Sequence, residues 1–231
     1  MDRDAFLDQI AARLGRARQQ RPPPRSVIGV PDFYRKSRVA EARPALLQAF
    51  ERELTAVGGG VRLVRSVAEA SAALHAELLH FQATRVVSSA RSEFSRFDFA
   101  WLWHERGARA VLDDGMRTEA EQRTALASAQ ASVTAVDCAI ANTGSLVVTA
   151  APSRPRSLSL LPGVHIAVLF ASQIVSHLGA AFETVAALGS LPSAAHVITG
   201  PSRTSDIEND LTIGVHGPAA VTAIVVTEGS Q

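Results

Sequence analysis

Residues 45–64, ALLQAFERELTAVGGGVRLV, combine a helix with the strand that follows it. The first part has the apolar periodicity of a helix, and Gly58 to Gly60 end it, because glycine adopts the positive φ of a helix C-terminus at low cost. The final VRLV is an apolar strand. Helical periodicity over Val67–Leu79 and a strand over Arg85–Ser88 repeat this order. Such alternation predicts a mostly parallel sheet with helices on both faces.

The elements downstream keep the same alternation. Two more helices are predicted over Arg117–Leu126 and Gln173–Leu188. Apolar runs predict further strands at Arg109–Leu112, Ala131–Val136, His165–Phe170, Ala194–Thr199 and Val221–Val226. The predicted fold class is therefore α/β.

One segment, residues 137–149, interrupts this pattern. Two β-prone runs flank Asn142-Thr143-Gly144, and Asn and Gly adopt positive φ readily, which is typical of a tight hairpin. We therefore expect an antiparallel hairpin inserted into a mostly parallel fold.

The N-terminal region differs in composition from the rest. Phe6, Ile10 and Leu14 have helical spacing, which predicts a short amphipathic helix. The following QQRPPPRS, residues 19–26, cannot continue a helix because consecutive prolines impose an extended path. We predict an N-terminal helical arm with a Pro-rich linker over residues 1–40 and an α/β domain over residues 41–231.

The composition argues against several classes of function. The 23 basic and 22 acidic residues nearly cancel, so no overall field favours nucleic acid. Cys138 is the only cysteine, whereas iron–sulfur clusters and CxxC zinc sites need several. Histidines and carboxylates do not occur at metal-ligand spacing such as HxxxH. We expect no metal and no cofactor.

The sequence also predicts a location. Asp2, Asp4 and Asp8 interrupt what a targeting signal would need, a basic lead before an apolar core. No apolar run approaches the roughly 20 residues that span a bilayer. We expect a cytoplasmic protein with no membrane span.

Hydroxyl and charged residues are crowded in GPSRTSDIE, residues 200–208. The spacing of Ser205 and Glu208 fits a capping box, which predicts a helix starting at Ser205 or Asp206. Backbone amides and Arg203 around that helix start would suit a carboxylate or phosphate. The alternative, that these residues only cap a helix, explains Ser205 and Glu208 equally well.

A histidine follows this segment in GVHGP, residues 214–218. His216 could act as a general base or orient an anion, since histidine titrates near neutrality. A histidine that only hydrogen-bonds its own turn remains the simpler alternative. Arg154 and Arg156, in the polar loop after the hairpin, are further candidates for binding an anion.

Three motifs together, AIANTGSLVV, LLPGVHIAVL and GPSRTSDIENDLTIGVHGP, resemble the lactate-utilisation protein C family, whose shared unit is the LUD domain. The resemblance covers roughly residues 40 to 228. It implies a three-layer α/β/α fold similar to the ribose-phosphate isomerase, CoA-transferase and formyltetrahydrofolate cyclo-ligase group. It further implies a part in oxidising L-lactate to pyruvate beside two iron–sulfur partner proteins. Asn142 stands where the family often has an acidic residue, which weakens a covalent CoA-transfer mechanism.

Two functions are compatible with these observations. The first is a non-redox accessory subunit of an L-lactate utilisation system that binds a small carboxylate or the iron–sulfur subunits. The second is a stand-alone CoA-transferase-like or cyclo-ligase-like enzyme with His216 or Glu208 as the catalytic acid or base. A scaffold that recruits partners through its basic N-terminal arm, and a homo-oligomeric state, are left open. The predicted ligand-binding residues are Thr143, Gly144, Ser145, Arg154, Arg156, Gly200, Pro201, Ser202, Arg203, Thr204 and Asp206.

Overall fold

The computed structural model describes residues 2–15, 42–111, 113, 118–205 and 211–228. The chain divides into two compact units, Met1–Asp32 and Phe33–Gln231. In the first unit, α1 spans Arg3–Arg13, and the Asp2 side chain accepts a hydrogen bond from the Asp4 amide at its N-terminus. The predicted N-terminal helix is therefore confirmed. The Pro-rich linker, residues 19–26, lies outside the described residues.

A sheet of six parallel strands forms the centre of the second unit. Its strands, in spatial order, are β1 (Gly60–Val64), β12 (Ala220–Val226), β7 (Val164–Phe170), β4 (Ala131–Ala135), β2 (Val86–Ser88) and β3 (Arg109–Ala110). The helices of this unit are α2 (Arg43–Ala56), α3 (Val67–His80), α4 (Ala100–His104), α5 (Glu119–Ser128) and α6 (Leu178–Ala186). Short 3-10 helices lie at Arg91–Phe94, Arg156–Ser159 and Ala171–Gln173.

A second, mixed sheet lies beside the first. It has the order β8 (Ile174–Val175), β5 (Cys138–Ile140), β6 (Ser145–Thr149) and β9 (Ala195–Ile198). β5 and β6 are antiparallel, which confirms the predicted hairpin. A separate two-stranded ribbon pairs β10 (Arg203–Ser205) with β11 (Leu211–Ile213).

Alternating residues of the central strands build two cores on opposite faces. Along β12, Ile224 and Val226 belong to the core that contains Leu74 and Leu78 of α3. Val225 belongs to the other core, with α2 and the second sheet. Because side chains alternate across a strand, continuous apolar runs are buried on both faces. The central sheet is thus the middle layer, and the predicted three-layer α/β/α fold class is confirmed.

The structure corrects three predicted elements. The helix predicted over Gln173–Leu188 is shorter, because β8 occupies its start and the His177 ring caps α6 by accepting from the Ala180 amide at 3.3 Å. The strand near Ala194–Thr199 joins the second sheet, antiparallel to β6. Ser205 ends a strand and pairs with Leu211, so the predicted helix does not start at Ser205; the alternative start, Asp206, lies outside the described residues. Within the described parts of the chain, no helix is long and apolar enough to cross a membrane.

Candidate functional site

The tip of the β5–β6 hairpin packs against the last turn of α2. Gly144 has φ +61°, and a Cβ placed there would lie 2.1 Å from the backbone nitrogen of Leu54. Positive φ and this close approach both require glycine. The predicted ligand residue Gly144 therefore has a packing role in this structure.

Three hydroxyls form a chain beside the same hairpin tip. Ser145 Oγ lies 2.7 Å from Thr143 Oγ1 and 2.7 Å from Thr199 Oγ1. Ser145 is buried and Thr143 is exposed. Thr143 and Ser145 therefore lie beside Thr199, the residue that precedes the predicted ligand residues Gly200–Asp206.

Gly200 and Arg203 contact the C-terminal end of α2. The Arg203 guanidinium donates through Nη2 to the Val57 carbonyl oxygen at 2.7 Å. Gly200, at φ +81°, lies so close that a Cβ would be 2.8 Å from Val57 Cγ2. A helix C-terminus has unpaired carbonyls and partial negative charge, which a cation stabilises. Arg203 therefore acts here as a cap for α2.

The rest of the predicted loop folds on itself. The Ser202 amide donates to the Pro218 carbonyl oxygen, and the Gly214 amide donates to that of Ser202, both at 2.9 Å. Thr204 lies in β10 opposite Thr212, and Pro201 is half-buried. His216 is exposed and makes no hydrogen bond with any described residue. Asp206 and Glu208 lie outside the described residues.

The described residues of the Gly200–Pro218 loop, 200–205 and 211–218, lie at the amino end of the parallel strands. Ala219, which follows this loop, donates from its amide to the Gly163 carbonyl oxygen at 2.8 Å, and the next residue after each of the two begins β12 and β7. Ligands of open α/β sheets instead bind beyond the carboxyl ends of the strands, where the strand order reverses. The predicted loop and the usual ligand edge are therefore on opposite sides of the sheet.

The carboxyl edge has a cavity of about 390 Å³. It lies where the strand order reverses. After β2, the chain first forms β3 on one side of β2 and then β4 on the other side. The segment after β2 and the ends of β4 and β7 enclose it. The lining residues that matter chemically are Glu93, Arg96, Phe97, Asp137, Arg154 and Phe170.

Arg154, only 8% exposed, joins the strands around this cavity. Its Nη2 donates to Asp137 Oδ1 at 2.9 Å and to Thr149 Oγ1 at 3.0 Å. Its Nε donates to the Thr149 carbonyl oxygen and its Nη1 to that of Ala135, at 2.9 and 2.6 Å. All three guanidinium nitrogens are therefore engaged within the protein. The ligand-binding role of Arg154 stays a prediction, and the contacts assign it the positioning of Asp137.

The Glu93 carboxylate is held by contacts within the protein. Oε1 accepts from Ser153 Oγ at 2.6 Å. Oε2 is buried and forms an ion pair with Arg154 Nη1 at 3.2 Å, in a geometry that is not a hydrogen bond. Glu93 therefore extends the network of Arg154 and Asp137 along the cavity wall.

Arg96 supplies the accessible positive charge of the cavity. Its guanidinium lies 4.0 Å above the Phe170 ring, and Phe97 stacks on that ring at 4.8 Å. It is exposed and makes no hydrogen bond or ion pair with a described residue. Stacking orients the planar fork while its donors stay available, an arrangement suited to a carboxylate.

Arg156 is outside this cavity. It is exposed at the start of a 3-10 helix and lines a neighbouring groove. Burial, and then the charge of Arg156, lower the pKa of His196. Arg156 therefore remains available for an anion, but at a different place from Arg96.

The described residues contain no group of three or more His, Cys, Asp or Glu side chains arranged to hold a metal ion. Cys138 is buried, and desolvation followed by the charge of Asp137 raises its pKa to about 11. Its thiol is therefore protonated at neutral pH and is a poor nucleophile.

Sequence reasoning missed Glu93, Arg96 and Asp137. Their signal is positional, since the first two follow a strand that ends in the hydroxyls of Ser88 and Ser89, and Asp137 follows β4. Polar residues directly after parallel strands converge at one edge of the sheet. The many polar residues of segment 200–208 instead favoured a site at the opposite edge of the sheet.

Comparisons with known proteins give a consistent result. The sequence model of the LUD domain matches residues 47–226. Lactate utilization protein C of Exiguobacterium is 29% identical over 97% of this chain and 96% of its own length. That of Bacillus subtilis is 25% identical over 98% and 97%. The crystal structure of a DUF162 family protein from Deinococcus radiodurans superimposes with a TM-score of 0.58 at 26% identity, covering 81% of this chain and 99% of that one.

Proposed function

The chain belongs to the LUD domain family, and from this premise we propose that it is a non-redox accessory subunit of an L-lactate utilisation system. Its relatives over nearly the full length are named for lactate utilization. A single buried cysteine cannot supply the several thiolates of an iron–sulfur cluster. Electron transfer would therefore belong to iron–sulfur partner subunits in the cytoplasm.

Arg96 is the observation that supports a carboxylate ligand. Its guanidinium is held on Phe170 at the carboxyl edge, and it makes no hydrogen bond or ion pair with a described residue. The cavity volume is within the usual range for small-molecule sites. We assign the small carboxylate to this cavity.

The test uses a strain that lacks this gene and is grown on L-lactate as carbon source. The unchanged gene should restore growth, and Arg96→Ala should restore it poorly because the cavity loses its accessible cation. Arg52→Ala is the matched control, since Arg52 is an exposed arginine on α2 whose guanidinium pairs with its neighbour Glu53. If the deletion strain grows on lactate as well as its parent, the proposed function is wrong.

The Gly200–Pro218 loop is our proposed contact for the iron–sulfur subunits. Ile213 and Val215 expose 52% of their surfaces, and His216 is exposed beside them. Val215→Asp should reduce co-purification of iron–sulfur proteins from lactate-grown cells, whereas Leu79→Asp, an exposed residue of α3, should not. Equal recovery with both variants would remove this loop from the proposal.

A second candidate is a CoA-transferase-like enzyme, because the Glu93 carboxylate lines the same cavity. Such enzymes use a carboxylate to transfer CoA from an acyl-CoA to an acceptor carboxylate, so the acyl group leaves as a free carboxylate and the CoA thiol ends in a new thioester. Purified protein given acetyl-CoA and L-lactate would then form acetate and lactoyl-CoA, and Glu93→Gln would not. Absence of a new acyl-CoA with the unchanged protein would exclude this candidate.

A further inference from the structure

The strand β9 forms an open edge of the second sheet, and β6 is its one neighbour among the described strands. The Ala150 amide donates to the Ala194 carbonyl oxygen at 2.8 Å, and residues that bond to a given neighbour alternate along an antiparallel strand. The N–H and C=O groups of Ala195 and Val197 therefore point away from β6. No described residue pairs with these four groups.

The edge at β9 carries no charge that would oppose pairing with another strand. Residues 188–199, LGSLPSAAHVIT, contain no Asp, Glu, Lys or Arg. Proteins usually protect an exposed strand edge with charged side chains or a bulge. The edge strand β1 of the central sheet, for example, has the exposed Arg62. The edge at β9 is neutral, so two copies of it do not repel each other.

The outer face of the sheet is uncovered at β9. Val197 lies opposite Val147 of β6, so both side chains are on the face that α6 covers. However, α6 packs over β5 and β8, on the other side of β6. Val197 is 45% exposed, and Leu191, just before the strand, is 83% exposed. Association at this edge would remove apolar surface from water, which is favourable.

We propose that β9 pairs with β9 of a second copy of this chain, antiparallel about a two-fold axis that passes between the two His196 residues. In this register Ala195 of each copy lies opposite Val197 of the other. The two hydrogen-bonded pairs satisfy every outward-facing N–H and C=O group of both strands. The second sheets of the two copies become one continuous sheet.

The symmetry of the edge is what favours a second copy as the partner. The two outward-facing residues, Ala195 and Val197, flank His196 on either side. A two-fold axis at His196 therefore exchanges them, and each donor of one copy meets an acceptor of the other without any shift of register. Such an interface uses the same surface on both copies, so it closes at the dimer.

The first experiment measures the mass of the purified full chain by light scattering over a series of protein concentrations. We expect a dimer. Val197→Pro should be a monomer, because it removes an outward N–H group that the partner needs, whereas an edge strand tolerates proline at such a position. Val197→Ala is the matched control, since it keeps this N–H group and should remain a dimer. An unchanged chain that is a monomer at every concentration, or a folded Val197→Pro protein that is a dimer, would overturn the inference.

The second experiment places a cysteine at the proposed axis. The two His196 residues would form a non-hydrogen-bonded pair with Cα atoms about 4.5 Å apart, which a disulfide can bridge. His196→Cys should therefore yield a covalent dimer with oxidised glutathione, and the native Cys138 does not compete because it is buried.

Ala194→Cys is the control for this cross-link. Ala194 is on the same face of β9, but its two copies would lie about 13 Å apart along the paired strands, too far for a disulfide. It should therefore stay uncross-linked. Equal cross-linking of the two cysteine variants, or none with His196→Cys, would contradict the proposed pairing.

Discussion

Replacement of Arg154 by alanine should strongly destabilise the α/β unit. Its guanidinium donates to the Asp137 carboxylate and to the carbonyl oxygens of Ala135 and Thr149, and it lies 3.2 Å from Glu93. Its side chain is 10% exposed, and those of Asp137 and Glu93 are 12% and 18% exposed. Arg154→Ala would leave two largely buried carboxylates without their cation. Breaking a buried pair in this way costs about 3–5 kcal/mol.

The assay is equilibrium urea unfolding at neutral pH, followed by circular dichroism. For a unit of this size, the expected loss lowers the midpoint of thermal unfolding by about 10 °C. Arg156→Ala provides the matched control, because Arg156 is an exposed arginine two residues away. Its effect should be about 0.5 kcal/mol or less.

Arg154 and Arg156 were predicted from sequence as equivalent anion ligands, so the pair tests the structural distinction between them. A loss below about 1 kcal/mol for Arg154→Ala would refute the assignment of a buried network. Similar losses for the two variants would also refute it, because only one guanidinium is buried.

Three further predictions concern stability. Gly144→Ala should lower the free energy of unfolding in urea by about 2 kcal/mol or more, because alanine is strained at φ +61° and its Cβ would displace the backbone of α2. Gly107→Ala is the control, since Gly107 has φ +69° with open space around it, and its loss therefore measures the cost of the positive φ alone. Equal losses for the two variants would contradict the packing argument. Arg203→Ala should lower the free energy of unfolding by about 1 kcal/mol, because α2 loses its cap. An unchanged free energy of unfolding would show that water replaces the guanidinium at the Val57 carbonyl oxygen. Burial lowers the pKa of His165 from 6.5 to about 4, so its neutral form stabilises the fold above pH 6.5, and that stability is lost as the pH falls from 6.5 to 4. The slope should be about 1.4 kcal/mol per pH unit over this range, and His165→Gln should flatten it; an unchanged slope would exclude His165 as the cause.

Local patterns in the sequence were sufficient to predict many of the elements. Helical periodicity before Gly58 and the apolar runs of β7 and β12 are properties of neighbouring residues, so their positions could be predicted to within a few residues. The hairpin at Asn142–Gly144 could also be predicted, because its turn depends on residues that adopt positive φ. Ser205 shows the limit of such reasoning, since the capping-box spacing is compatible with a strand once a partner strand pairs with it.

The candidate site depended far more on tertiary structure. Sequence shows that Arg154, Arg156 and Arg203 are arginines in polar loops, but not which guanidinium already has protein acceptors. Arg154 is buried and donates to Asp137, and Arg203 donates to a carbonyl oxygen at the end of α2. Arg96, which sequence reasoning passed over, keeps its donors accessible because its neighbour is an aromatic ring.

The amino-acid sequence by itself determined the elements, the α/β class and the family resemblance, because periodicity, turn residues and motifs are encoded over short distances. Tertiary structure alone decided the order of the strands, the edge at which Glu93 and Arg96 line one cavity, and the opposite edge at which the described part of the Gly200–Pro218 loop lies. The physical reason is that ligand binding depends on polar groups left unsatisfied after folding. Which groups those are is set by contacts between residues far apart in the chain, such as Arg154 with Glu93.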